Sequence, residues 1–214
     1  MEKGKKIGQA ALFLGIAAAG WAHNFLPLPE GGGETVIPAI ADSRAAYREI
    51  KAPGQIDLFS FKAKAGAEIY IQMTVPTIEP YASLRPVFVL ASLDGPFSPG
   101  PSIEDGEAAP VSAEALAALA APSPENAMAI AALAGAGKRF REEFTGTDYL
   151  ILQTLTVKAP VTGRYRIGVY LPDGATGKYV LATGKKEAFS LSEIFGLGKV
   201  KRLVRDFMEA DSKR

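Results

Sequence analysis

The chain has 214 residues, 48% of them hydrophobic, which is enough for one well-buried core. Lys and Arg number 24 against 23 Asp and Glu, so the chain lacks the basic excess that a nucleic-acid binder normally carries. It has no cysteine and a single histidine, His23, which excludes disulfides, thiolate metal sites, cysteine nucleophiles and multi-histidine metal centres.

The first segment has the layout of an export signal. Lys3, Lys5 and Lys6 precede an uncharged, mostly apolar run from Ile7 to Ala19, and Gly20-Trp21-Ala22 places small residues where a signal peptidase reads. Two readings stay open for residues 1–22. One is a cleaved signal peptide. The other is an uncleaved N-terminal membrane anchor, in which Trp21 and Phe25 extend the apolar run towards the roughly 20 residues of a span. Either places the rest of the chain in the periplasm, outside the cell or at the outer face of a membrane. Cleavage after Ala22 would make His23 the new N-terminus, where an amino group beside an imidazole can chelate copper. Such a site usually needs a second imidazole, and the chain has none.

Residues 23–46 are rich in Pro and Gly and read as an extended linker or lead-in. Gly31-Gly32-Gly33 is not a phosphate loop, because no Gly-Lys-Ser/Thr ending follows it.

From Tyr47 the pattern is β. Tyr47 to Lys51 is a short strand closed by the turn Pro53-Gly54, and Gln55 to Lys62 puts Phe59 and Phe61 on one face with Ser60 and Lys62 on the other. Between Glu68 and Val75, Ile69, Ile71, Met73 and Val75 alternate with Glu68, Tyr70, Gln72 and Thr74, the signature of a strand with one buried face. Pro86 to Ser92 is continuously apolar, as a central strand would be.

Residues 93–137 read as an insertion: a loop from Gly95 to Pro110, then the Ala-rich segments Ser112 to Ala121 and Glu125 to Ala134, which carry one or two short helices with Ser112 and Ser123 as N-caps. Asp94, Glu104, Asp105 and Glu107 cluster in the first part of this insertion. Hard cations want several oxygen ligands, so these four are the candidate calcium ligands, although their spacing is not that of an EF-hand. Glu142 and Glu143, as neighbours, diverge and make a poor acid–base pair.

Strands resume at Tyr149 to Val157, Arg164 to Leu171 and Lys178 to Thr183, with turns at Val161-Thr162-Gly163 and Pro172-Asp173-Gly174. Tyr70, Tyr170 and Tyr179 read as outward-facing, an aromatic platform for a sugar or peptide or simply half-buried strand residues. Residues 190–214 form an amphipathic helix, with Leu197, Val200, Leu203, Val204, Phe207 and Met208 at helical spacing. Lys199, Lys201, Arg202 and Arg205 lie largely on its other faces, as a contact for a membrane surface or protein partner, or as solvated charges on a helix packed against its own domain. The fold expected is thus mainly β, an antiparallel β-sandwich of jelly-roll type over residues 47–189, with a helical insertion and a C-terminal amphipathic helix.

Two stretches carry a resemblance to a known family. Ser43 to Val75, SRAAYREIKAPGQIDLFSFKAKAGAEIYIQMTV, and Thr162 to Gly184, TGRYRIGVYLPDGATGKYVLATG, resemble the bacterial pre-peptidase C-terminal domain, a secreted β-sandwich module. Gly184 to Phe207 is similar to a segment of uncharacterised exported bacterial proteins, in which Glu187-Ala188-Phe189 leads into a basic helix. The resemblance implies a non-catalytic accessory domain used for binding or for assisting export, and some such modules bind calcium; the reading drawn from it is a non-catalytic exported binding or assembly domain. The chain departs from a simple module in its insertion and in lacking an attached peptidase. A structural subunit of a membrane-associated complex is the alternative. An enzyme is not expected, because a nucleophile–base pair would have to use His23.

Overall fold

The computed structural model describes residues 24–27, 33–97, 101–133, 135, 137–142, 146–186 and 191–209. The signal-like segment, His23, Glu143 and Glu187-Ala188-Phe189 lie outside these.

Among the described residues, thirteen strands and two α-helices follow in order: β1 (Asn24–Phe25), β2 (Thr35–Val36), β3 (Arg44–Ile50), β4 (Asp57–Ala63), β5 (Glu68–Pro76), β6 (Val87–Ser92), β7 (Ser102–Glu104), β8 (Gly106–Ala109), α1 (Ala113–Leu119), β9 (Ala127–Ala132), β10 (Lys138–Glu142), β11 (Thr147–Lys158), β12 (Gly163–Tyr170), β13 (Gly177–Thr183) and α2 (Leu191–Glu209). Sheet A runs β1-β3-β13-β5-β11-β10, with β7 also on β11; sheet B runs β2-β4-β12-β6-β9-β8.

The pairing is nested. β3 pairs with β13, β4 with β12, β5 with β11 and β6 with β9, all antiparallel. The chain therefore behaves as one long hairpin whose successive rungs alternate between two sheets, which is a jelly roll.

Period-two patterning puts the core between the sheets. Phe59, Ile69, Ile71, Met73, Phe88, Leu90, Tyr165, Ile167, Val169 and Leu181 all belong to one buried cluster. The Tyr165 hydroxyl donates a 2.6 Å bond to the carbonyl of Val161, pinning the corner from which β12 departs, as tyrosine corners do in other sandwiches. The ring stacks on Phe61 at 5.3 Å.

Each outer face carries a helix. α1 lies on sheet B, where Leu119 and Ala115 cluster with Val87, Val89, Ala91 and Ala129. Gly168 permits this approach, since a side chain there would meet Leu119 Cδ2 at 3.3 Å. The Ser112 hydroxyl caps α1 by accepting from the Ala115 amide. α2 lies on sheet A through Val204 and Met208, which cluster with Ala45, Tyr149 and Val180. Full burial of two such side chains stabilises by about 1.5–3 kcal/mol each. Lys178 reaches out from β13 and donates to the Phe207 carbonyl at 2.6 Å, a cation at the C-terminal end of the helix. Beyond α2, β10 closes sheet A with exposed Lys138, Arg139 and Arg141, charges that discourage pairing at an edge.

Four expectations need correction. The segment from Glu125 to Ala134 is not a helix: Ala127–Ala132 is strand β9. Met128 and Ile130 point into the core while Ala127, Ala129 and Ala131 face α1, so alanine serves there as a small residue under a helix. Residues 93–137 are accordingly no mere helical insertion, since β8 and β9 extend sheet B and β7 joins sheet A. Within residues 23–46, Leu26, Ile37 and Ile40 enter the core, so this lead-in is part of the sandwich rather than a free linker. Tyr179 points inward and is fully buried, and Tyr70, although on the outer face of sheet A, is buried too. With Tyr170 on sheet B, the three tyrosines form no common platform.

Candidate binding clefts

The lead-in crosses one open side of the sandwich, where β3 and β4 each carry only a two-residue parallel neighbour. Its alternate residues face opposite ways. Gly33 and Thr35 line a cleft at the seam of the two sheets, and Glu34 and Val36 line a second cleft on the outer face of sheet B.

The seam cleft has a volume of about 360 Å³ and is bounded by β3, the turn from Lys51 to Gln55, the start of β4, and Phe207 of α2. Its polar groups are fixed. Arg48, 4% exposed, sits at an inward position of β3 between Ala46 and Ile50, so its charge must be satisfied internally. Its Nη1 donates to the carbonyls of Tyr47 at 3.0 Å and Leu26 at 3.4 Å. Its Nη2 donates to the Pro27 carbonyl at 3.0 Å and to Thr35 Oγ1 at 3.2 Å. The guanidinium also lies 5.5 Å from the centre of the Phe59 ring. Burial holds the Arg48 pKa below the usual arginine value, with Tyr179 and Asp57 opposing that shift.

Beside it, Asp57 Oδ2 accepts from the Tyr179 hydroxyl at 2.6 Å, and Asp57 Oδ1 accepts from Gln55 Nε2 at 2.7 Å. Burial first, and then the Asp57 carboxylate, push the Tyr179 hydroxyl well above the ordinary tyrosine value. Gln55 completes the rim: its Oε1 accepts from the Lys51 amide at 2.8 Å, and its Nε2 donates to the Glu49 carbonyl at 3.3 Å. Arg48 and Gln55 thereby cover edge-facing carbonyls of β3, protecting an otherwise open strand edge.

The outer cleft, about 380 Å³, lies between β2 and the exposed ends of β4 and β12. Arg166 Nε donates to Glu34 at 2.7 Å and its Nη1 to the Leu119 carbonyl at 3.1 Å, so it ties the lead-in to the C-terminus of α1. Arg164 is bound by Asp94: Asp94 Oδ2 accepts from the Arg164 amide at 2.7 Å, and Oδ1 accepts from Nη2 at 3.1 Å. That contact holds the Asp94 carboxyl below its usual range.

The four candidate calcium ligands are not gathered. Asp94 is engaged at the start of β12. Glu104 ends β7, opposite Thr154 of sheet A, whereas Glu107 lies on β8, opposite Ala131 of sheet B. Asp105 makes the crossing between them with a positive φ of 58°. Among the described residues, no three His, Cys, Asp or Glu side chains come together as a metal ion would need.

On α2, Lys201, Arg202 and Arg205 are exposed, and Leu203 joins them at 53% exposure instead of packing inward. Lys199 is also on this helix. Arg48, Gln55, Asp57 and Arg166 were not singled out from the sequence. The one local signal is a charged residue at an inward position of an alternating strand, which Arg48 supplies.

No protein-family model matches the chain, and no curated protein matches it. Among solved structures it is similar to CorA, described as a surface-associated copper-binding protein important in copper acquisition by Methylomicrobium album BG8. The TM-score is 0.35 at 13% identity, over 70% of this chain and 100% of that one. At that TM-score the likeness carries no argument about fold or function.

Proposed function

We propose that the chain is a non-catalytic exported domain for binding or assembly, with the seam cleft as its recognition site. The observation that carries this reading is the fixed polar lining of that cleft, where Arg48, Gln55 and Asp57 are held by partners from both sheets and the lead-in. Polar groups held in place before a ligand arrives cost little to order on binding. Phe59 and Phe207 add apolar surface beside them, the mixture typical of small-molecule and peptide clefts. The Lys3–Ala22 pattern supports export, and the resemblance to secreted accessory modules points the same way.

The test is cell fractionation combined with native mass spectrometry of protein from its own cells. The expected result is recovery outside the cytoplasm with a non-covalent adduct. A Lys51→Ala, Asp57→Asn double variant with an unchanged circular dichroism spectrum should lose that adduct. Cytoplasmic recovery, or an adduct unchanged in the variant, overturns the reading.

A second reading, a structural subunit of a membrane-associated complex, is favoured by α2. Its apolar side is packed on sheet A, while Lys201, Arg202, Leu203 and Arg205 remain exposed. Release from membranes by high salt, but not by low salt, would support this attachment.

A further inference from the structure

We propose that the outer cleft on sheet B is a binding site for a small organic anion, a phosphate or carboxylate group joined to an apolar body. The inference is independent of the seam cleft and of the export reading.

The first support is an arrangement of charge that folding alone does not reward. Lys62 and Arg164 stand directly opposite each other in the β4–β12 register, on the outer face. Like charges at such positions destabilise a sheet. Arg166 follows two residues along the same face, opposite Ser60. All four residues line one cavity of about 380 Å³.

The second is residual donor capacity. Asp94 engages the amide, Nε and Nη2 of Arg164, and Arg166 directs Nε to Glu34 and Nη1 to the Leu119 carbonyl. Each guanidinium offers five N–H donors. Arg164 Nη1 and Arg166 Nη2 are left with no acceptor among the described residues, and Lys62 makes no ion pair among them. An anion in the cleft would meet three cations, of which only two have carboxylate partners.

The third is the opposite wall. Val36, Pro38 and Leu93 line the same cavity, and Val36, at an outward position of β2, leaves its apolar side chain 65% exposed. An apolar body attached to the anion would cover it. Asp94 then acts as an internal competitor, a carboxylate of the protein occupying part of the donor set that the ligand would use.

The test titrates the full chain with phenyl phosphate, benzoate and inorganic phosphate, following amide NMR shifts and calorimetry. Phenyl phosphate or benzoate should bind saturably, with shifts confined to residues around Val36, Lys62, Leu93 and Arg164. Lys62→Met should weaken that binding about tenfold, the loss expected for one charge-assisted hydrogen bond. Asp94→Asn should tighten it, a gain that partial unfolding could not produce. Absence of saturable binding, indifference to Lys62→Met, or weaker binding by Asp94→Asn would each overturn the proposal. Inorganic phosphate binding as tightly as phenyl phosphate would overturn the role given to the apolar wall.

Discussion

The Tyr179 hydroxyl of sheet A donates a 2.6 Å hydrogen bond to the Asp57 carboxylate of sheet B. It is a polar clasp across the mouth of the sandwich, and it joins the two outermost rungs of the nested pairing. Tyr179→Phe keeps the ring in its buried slot and removes only the donor. Loss of a buried bond to a charged group costs about 1.5–3 kcal/mol. Urea unfolding should show a lower midpoint with an unchanged slope, because the surface exposed on unfolding is the same. An unchanged midpoint would mean that the clasp contributes nothing.

High pH should break the fold through its tyrosines. Burial, with Glu104 second, raises the Tyr70 pKa from 10.0 to about 12. Burial likewise lifts Tyr47 and Tyr179 well above the ordinary value. A raised folded-state pKa means that the folded state holds its proton longer. The stability is complete below the unfolded value of 10.0 and is lost as pH rises through about 12. For Tyr70 alone the loss is on the order of 2–3 kcal/mol. Tyrosinate absorbance from these residues should therefore appear together with loss of near-ultraviolet circular dichroism, and not before it. Gradual ionisation with the spectrum intact would contradict this.

The main strands were legible because their neighbours in sequence alternate, and alternation is a local property. Ile69, Ile71, Met73 and Val75 declare a buried face within eight residues, and the core contains all four. Three misreadings have physical causes. In Ala127–Ala132 the high helix propensity of alanine hid an alternation of Met128 and Ile130 with small residues that make room for α1. In Lys178–Thr183 apolar side chains fall on both faces, so the phase is set by the pairing of Tyr179 with Arg48 and not by the strand itself. Leu203 fits a helical stripe by spacing, yet among the described side chains of α2 only Val204 and Met208 are fully buried. The clefts were not legible at all. Their ties link residues 132 apart, as in Glu34 with Arg166, and 122 apart, as in Asp57 with Tyr179.

Two glycines with similar backbone angles should respond very differently to alanine. Gly184 has φ +66° and Gly54 has φ +75°. Both positions lie in the left-handed region, where a side chain costs roughly 1–2 kcal/mol. Gly54 has open space around it, with nothing within 4 Å of the point a Cβ would occupy. At Gly184 a Cβ would overlap the carbonyl of Asp42. That carbonyl belongs to the junction where Ser43 donates to the Lys186 carbonyl at 2.8 Å and Lys186 donates to Ala41 at 2.9 Å. Backbone cannot swing aside as a flexible side chain can, so Gly184→Ala adds a steric cost of about 1–3 kcal/mol. Thermal melts should show a small loss for Gly54→Ala and a much larger one for Gly184→Ala. Equal losses would place the whole effect in φ.

Arg48 and Arg166 hold the same lead-in from different sheets, and they should fail differently. Arg48→Met would orphan the carbonyls of Leu26 and Pro27 as well as Thr35 Oγ1. Each buried acceptor left without a donor costs about 1–3 kcal/mol, partly recovered where water enters. Arg166→Met removes a part-buried ion pair with Glu34 and the part-buried bond to the end of α1. Both are partly open to solvent, and such pairs near the surface contribute about 0–1 kcal/mol. Hydrogen exchange separates the two. In Arg48→Met the Leu26 amide, which donates to Ala45 at 2.8 Å, and the Ile37 amide, which donates to Ser60 at 2.8 Å, should lose protection together. In Arg166→Met the Ile37 amide should stay protected, while the Ala120 and Ala121 amides, which close the last turn of α1, exchange faster. If Arg48→Met left the Leu26 amide as slow as in the parent chain, the lead-in would be held by its apolar contacts through Leu26, Ile37 and Ile40, and the buried arginine would be a passenger.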